Sequence, residues 1–181
     1  MTTLFSVQRV SGQMPDGWDW STKVASNKVE FASSIATDPS HNAVYTAGQV
    51  ERGFSSILGG LWTSLFGSST GSDGYLVKQD LSGNVQWQVV LGAAGSDAIT
   101  GVCTDALGNV YVTGYFSGNN ASFTGVTGSG QTMSSSGGED ILVACYNGSG
   151  ALLWKISTGG SGNDRASSIC YANGQLFVGG F

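Results

Sequence analysis

The chain has 181 residues, of which 40% are hydrophobic and only 10% charged, with 29 glycines and 2 prolines. Its charged share is far below the roughly 25% of an ordinary soluble domain and its glycine share about twice the usual ~7%, a balance that excludes intrinsic disorder, coiled coil and collagen. A formal charge of -5, with seven Lys and Arg scattered from Arg9 to Arg165, lacks the clustered basic surface that phosphate binding needs, so no nucleic-acid partner is expected.

In chain order, residues 4–20 (LFSVQRVSGQMPDGWDW) are a degenerate copy of a motif that returns at 73–87 and 139–154. Trp20, Trp87 and Trp154 mark it at a constant spacing of 67 residues, and an acid follows each Trp ten positions later: Glu30, Asp97 and Asp164. After each acid comes a related run, FASSIATDPSH, AITGVCTDALG or RASSICYANG, in which Ala36, Cys103 and Cys170 share one repeat position. Each run leads into a β-rich segment, AVYTAGQV, GNVYVTGYF or GQLFVGGF. Four short runs of β-branched and aromatic residues separated by Gly-Asn, Ser-Gly and Asn-Gly signals predict a four-stranded antiparallel meander per unit. Such sheets cover their faces by stacking around an axis. The expected fold is therefore all-β: a β-propeller of about three four-stranded blades of 67-residue period, completed by oligomerisation or a longer parent protein.

Phasing the unit from the acid divides this single repeat domain into a half-blade at 4–24, a blade at 30–92, a blade at 97–158 and a half-blade at 164–181. The halves are complementary. Three arrangements satisfy them: two chains exchanging half-blades head to tail into a six-bladed ring, a piece of a longer protein or open assembly, or a three-bladed monomer.

The repeat resembles the bacterial seven-bladed β-propeller repeat (SBBP-type) family. The resemblance rests on Gly160-Ser161-Gly162-Asn163-Asp164 with its partner Ala93-Ala94-Gly95-Ser96-Asp97, on the run Asp105 to Gly114, and on the two strands that end in Trp87 and Trp154. It is strong over 73–181 and weak before residue 30. It implies a propeller, and an extracellular or surface location; Met1–Val10 has neither the basic start nor the apolar core of a secretory signal, and localisation stays open. Propellers host many activities, so the family resemblance speaks for fold.

Chemistry-bearing residues are few. The single histidine, His41, follows Asp38 in a segment where the sibling repeat has a turn, so it is expected to be a turn residue and no catalytic group is assigned. One His and three dispersed Cys cannot build a nitrogen and sulfur metal shell, and Asp73, Asp97, Glu139, Asp140 and Asp164 are repeat-spaced singles; no metal or cofactor is expected. Glu30, Asp97 and Asp164 are read as turn caps, Trp20, Trp87 and Trp154 as packing between repeats, and the three cysteines as buried free thiols. Asn120 and Asn147 open glycosylation triplets that matter only in a secretory pathway. No segment approaches the ~20 apolar residues of a membrane span.

The departures from the repeat carry the functional expectation. Residues 117–138 read as a polar Ser/Gly/Thr loop, whereas the matching segment 54–72 places Ile57, Leu58, Leu61, Trp62, Leu65 and Phe66 along one side of a short helix. Buried under the propeller this segment is a plug; exposed, the six residues are the candidate interaction segment for a partner protein, or an interfacial membrane contact disfavoured by the lack of basic residues. The protein is expected to be a non-enzymatic scaffold that joins itself or a larger assembly through this segment and its open blade edges. The alternative is a carbohydrate-binding or hydrolytic propeller using an axial pocket.

Overall fold

The computed structural model describes residues 30–51, 71–124 and 132–181. The half-blade at 4–24, Trp20 and the candidate segment 57–66 lie outside the described residues. Twelve strands are present in them: β1 (Glu30–Asp38), β2 (Ala43–Glu51), β3 (Ser72–Gln79), β4 (Val85–Gly92), β5 (Ala98–Thr104), β6 (Val110–Ser117), β7 (Ala121–Thr124), β8 (Thr132–Met133), β9 (Glu139–Tyr146), β10 (Leu152–Thr158), β11 (Ala166–Ala172) and β12 (Gln175–Gly180). All pairings among them are antiparallel. They form three sheets with the orders β1-β2-β3-β4-β7-β8, β10-β9-β6-β5 and β11-β12.

Short hairpins that share one turn design join β3 to β4, β5 to β6 and β9 to β10. In Asp80-Leu81-Ser82-Gly83-Asn84 the first carboxylate accepts the backbone N–H groups of Ser82 and Asn84, both at 2.9 Å. In Asp105-Ala106-Leu107-Gly108-Asn109 it accepts those of Leu107 and Asn109, again at 2.9 Å. Asn147 does the same with its amide oxygen for Ser149 and Ala151. The fourth residue of each turn has φ between 81° and 86°, a left-handed conformation that glycine adopts without the Cβ penalty: Gly83, Gly108 and Gly150.

A second repeated device bends the first strand of each sheet. The register of β1, β5 and β11 slips between Ala32 and Ser34, between Ile99 and Gly101, and between Ala166 and Ser168. Opposite each bulge the partner strand carries a glycine, Gly48, Gly114 or Gly180, and a Cβ there would collide with the carbonyl oxygen of Phe31, Ala98 or Arg165. The bulge thus demands a residue without a side chain on the facing strand.

These bent first strands lie beside one another. Ser34 Oγ accepts the Val102 N–H at 3.2 Å, Thr104 donates to the Thr37 carbonyl at 3.3 Å, and Thr100 donates to the Ala166 carbonyl at 2.7 Å. Main-chain bonds repeat the same seam further out, from Asp97 N–H to Ser72 O and from Asp164 N–H to Glu139 O. The largest core lies between the first and second sheets, where Tyr45, Leu76, Trp87, Val89 and Leu91 meet Ile99, Val102, Val112, Leu142 and Tyr146. Each fully buried aliphatic side chain there contributes roughly 1.5–3 kcal/mol of transfer free energy.

One sequence expectation is corrected. The stretch 117–138 contains β7 and β8, and β7 pairs with β4 of the preceding sheet through Val90–Thr124, Leu91–Phe123 and Gly92–Ser122. The loop is a clasp that extends the first sheet to six strands. Its Phe123 is buried beside Tyr146, with ring centroids 6.3 Å apart, and the Lys155 ammonium sits 5.1 Å from the Phe123 ring centre.

Candidate functional site

The surface through which one repeat recognises the next is built from a row of residues across each sheet. Register places Ala36, Tyr45, Lys78 and Trp87 side by side in the first sheet. The second sheet aligns Cys103, Tyr111, Cys145 and Trp154 in the same order. Residues opposed in register share a face, so each row forms one continuous strip.

In the first row, Trp87 Nε1 donates to the Gly148 carbonyl at 3.0 Å and Lys78 Nζ donates to the same oxygen at 2.7 Å. Gly148 belongs to the turn between β9 and β10, so two side chains of one sheet converge on one backbone atom of its neighbour. Tyr45 and Tyr146 flank Trp87 at centroid distances of 5.8 and 6.4 Å. Burial, and secondarily the Asp38 carboxylate, pushes the Tyr45 phenol up to about 12, which keeps it neutral. Burial also lowers the Lys78 ammonium from its ordinary value.

In the second row the same chemistry is only half covered. Tyr111 stacks flat on Tyr171 of the third sheet, 5.4 Å between centroids and 6° between planes, and touches Trp154 at 6.0 Å. The Tyr111 hydroxyl donates to Asp105 Oδ2 at 2.8 Å. Burial pushes the Asp105 carboxyl upward, but the hydrogen bonds from Asn109, Tyr111 and Leu107 outweigh it and hold the group below the usual carboxylate range. Trp154 is 39% exposed where its counterpart Trp87 is 7% exposed. Arg165 ties the third sheet on by a two-pronged pair with Glu139, one prong at 2.6 Å, and its guanidinium lies 4.4 Å from the Tyr115 ring centre.

The acids singled out in the sequence sit at the sheet junctions. Asp97 accepts the N–H groups of Ala93 at 2.6 Å and Ser117 at 3.0 Å, and Asp164 accepts that of Gly160 at 2.8 Å. Glu30 opens β1. Glu139 and Asp140 begin β9, and Asp140 accepts the Ser136 N–H at 3.0 Å. Among the described residues no group of three or more His, Cys, Asp or Glu could hold a metal ion. Nor is any helix among them long and apolar enough to cross a membrane.

His41 ends the short 3-10 turn Pro39–His41. Its Nδ1 meets Asp38 Oδ2 at 2.7 Å, and its ring packs on Gly108, whose Cβ, if present, would lie 3.1 Å away. Asp38 is the repeat counterpart of Asp105, and Tyr45 takes the place of Tyr111. Unlike the Tyr111 hydroxyl, the buried Tyr45 hydroxyl has no hydrogen-bond partner among the described residues. The His–Asp pair is a local turn contact, with no nucleophile bonded to it among those residues.

The cysteine expectation needs correcting in part. All three thiols are free, but only Cys145 is buried; Cys103 is half-buried and Cys170 exposed. Cys170 stands at the repeat position of Ala36 and Cys103, on a sheet with no further sheet packed over it among the described residues. Burial first, and then Cys170, Asp105 and Cys145, push the Cys103 thiol up to about 11; burial and Asp105 do the same for Cys145.

Sequence reading missed Lys78, Asp80, Asp105, Phe123 and Gly148. The turn acids left a visible signal, Asp-x-x-Gly-Asn twice, whereas the carbonyl of Gly148 left none, because its role belongs to the backbone.

Antiparallel sheets whose strand pattern repeats in the sequence and whose first strands stand side by side define a propeller-like all-β repeat protein. No family model matches the chain. The chain is 28% identical over 152 residues to an uncharacterized WD repeat-containing protein of Acanthamoeba polyphaga mimivirus, a match that covers 80% of this chain and 11% of that protein. This likeness supports a β-propeller type of repeat.

Proposed function

We propose that the protein is a non-enzymatic propeller scaffold of SBBP type whose repeats stack head to tail, with a second copy of itself or a larger assembly continuing the stack. The observation that carries this reading is a mismatch between residues that occupy the same repeat position. Ile35 is 53% exposed on the first sheet while its counterpart Val102 is 5% exposed between sheets. At the other end, Phe177 is 52% exposed while its counterparts Tyr45 and Tyr111 are buried. Each end therefore presents what the interior of the stack covers, and the two ends are complementary because one carries the leading face of a repeat and the other its trailing face.

Among the described residues the third sheet has two strands where the repeat unit is read as four, and residues 4–24 are read as a degenerate copy of the other pair. Their exchange between copies gives a closed six-bladed ring with blades at 30–92 and 97–158 and composite blades from 164–181 and 4–24. The segment 57–66 belongs to the same proposal as a further contact. The scarcity of convergent titratable groups, with His41 held in a turn, favours a scaffold over the carbohydrate-binding or hydrolytic alternative. Static light scattering of the purified chain tests the proposal: a mass near twice 18.5 kDa is expected. Phe177→Ser, which alters an exposed residue, is expected to leave folded monomers; a monomeric wild-type chain at all concentrations removes the self-assembly reading.

A further inference from the structure

The turn between β9 and β10 carries an amide where its two siblings carry a carboxylate: Asn147 stands in the place of Asp80 and Asp105. Asn147 Oδ1 accepts the N–H groups of Ser149 at 3.1 Å and Ala151 at 2.9 Å, and the Ser149 hydroxyl at 2.8 Å. Donors converging on one amide oxygen draw electrons away from Cγ and stabilise negative charge on Oδ1, as an oxyanion hole does. The residue that follows is Gly148, whose amide nitrogen has no side chain beside it to hinder an approach to that carbon. Its N–H is used by none of the turn's own main-chain bonds, which run from Asn147 N–H to Ala151 O and from Gly150 N–H to Asn147 O. Ser149 is exposed, so water reaches the turn.

We infer that Asn147 is a self-modification site, deamidated in the folded protein to an aspartate that leaves the turn intact. The Gly148 nitrogen forms a bond to Cγ, and the π pair of the side-chain carbonyl moves onto Oδ1 beneath its donors. Collapse of this intermediate breaks the bond from Cγ to Nδ2, which leaves as ammonia with the proton given up by Gly148. Water then opens the cyclic imide, so the net change is one water consumed and one ammonia released, with no oxidation or reduction. Opening at Cγ gives an ordinary aspartate at position 147. That product keeps the turn, because Asp80 and Asp105 hold the same pair of N–H groups in theirs. Opening at the main-chain carbonyl gives the isoaspartate, which lengthens the backbone by a methylene just before Gly148. The carbonyl that Trp87 and Lys78 grip is thereby displaced, so the minor product loosens the joint between the first two sheets.

The chain's other Asn-Gly pair, Asn173-Gly174, is the internal reference. The full chain is held at mildly alkaline pH, either folded or in urea, and both sites are followed by peptide mapping with mass spectrometry. The ratio of Asn147 to Asn173 deamidation is expected to be about tenfold or more higher in the folded protein than in urea, because only the folded turn gathers donors on Oδ1. Gly148→Ala, whose Cβ meets nothing nearer than 3.4 Å, is expected to keep the fold and to slow the reaction at Asn147 by about tenfold, by hindering the attacking nitrogen. Asn147→Asp is expected to unfold at the same urea concentration as the fresh chain. A ratio that folding leaves unchanged or lowers, or a rate indifferent to Gly148→Ala, overturns the inference. A lowered midpoint for Asn147→Asp does the same, since the turn would then not accept the product.

Discussion

Asp105 shows how one side chain can hold a turn and set a pH response. Its carboxylate gathers the Leu107 and Asn109 N–H groups, the Asn109 side-chain amide and the Tyr111 hydroxyl, all within 2.9 Å. Because its folded pKa lies below the unfolded value of about 3.9, the stability it contributes is present above that value and lost as pH falls through the folded pKa. Asp105→Asn should cost about 2 kcal/mol at pH 7 and progressively less below about pH 4, as read by urea unfolding at the two acidities. The glycines offer a sharper contrast. Gly114→Ala drives a Cβ into the Ala98 carbonyl, and about 2–3 kcal/mol of destabilisation is expected. Gly162 has nothing within 4 Å of a would-be Cβ, and Gly162→Ala should change stability by less than about 1 kcal/mol. Thermal unfolding of the pair separates steric demand from mere glycine content.

At the scale of elements, strands β1 to β6, β9 and β10 could be read in the sequence, because alternating apolar runs and Gly-Asn turns are local signals. AVYTAGQV, for instance, lies in β2, and all but the first two residues of GNVYVTGYF lie in β6. The clasp could not be read. Ala121-Ser122-Phe123-Thr124 has one large apolar residue in a Ser/Gly-rich stretch, and it is a strand only because β4 offers an edge beside it. The 67-residue spacing marked Trp87 in the sequence, but its hydrogen bond to Gly148 left no signal there, since the acceptor is a main-chain atom 61 residues away. Phe123→Ala should remove about 3 kcal/mol and speed amide exchange in β7 and at Val90–Gly92, while the β5–β6 hairpin keeps its protection. A loss of protection spread evenly over both sheets would show that the clasp is inseparable from the core.

For the molecule as a whole, the thiols report whether the stack continues. Cys103 and Cys145, pushed up to about 11, are roughly 0.1% thiolate at pH 8 and should alkylate slowly. Cys170 is exposed on the third sheet and should react first in dilute protein. If a second copy covers that sheet, its labelling rate should fall as protein concentration rises, whereas a concentration-independent rate would leave the face open. Covering Trp154 to the extent of Trp87 removes roughly 80 Å² from water, about 2 kcal/mol at ~25 cal/mol per Å². A few such contacts on each face supply a driving force without any charged complementarity.

The convergence of Trp87 and Lys78 on the Gly148 carbonyl has an evolutionary consequence. Every amino acid carries that oxygen, so the joint between neighbouring units places no demand on the identity of the residue that accepts it. A duplicated unit can change the residue at 148 and still be gripped, since a Cβ there meets nothing nearer than 3.4 Å. Alignments of related chains should therefore show position 148 drifting without correlated change at 78 or 87, and units from different parents should splice together as interchangeable cassettes.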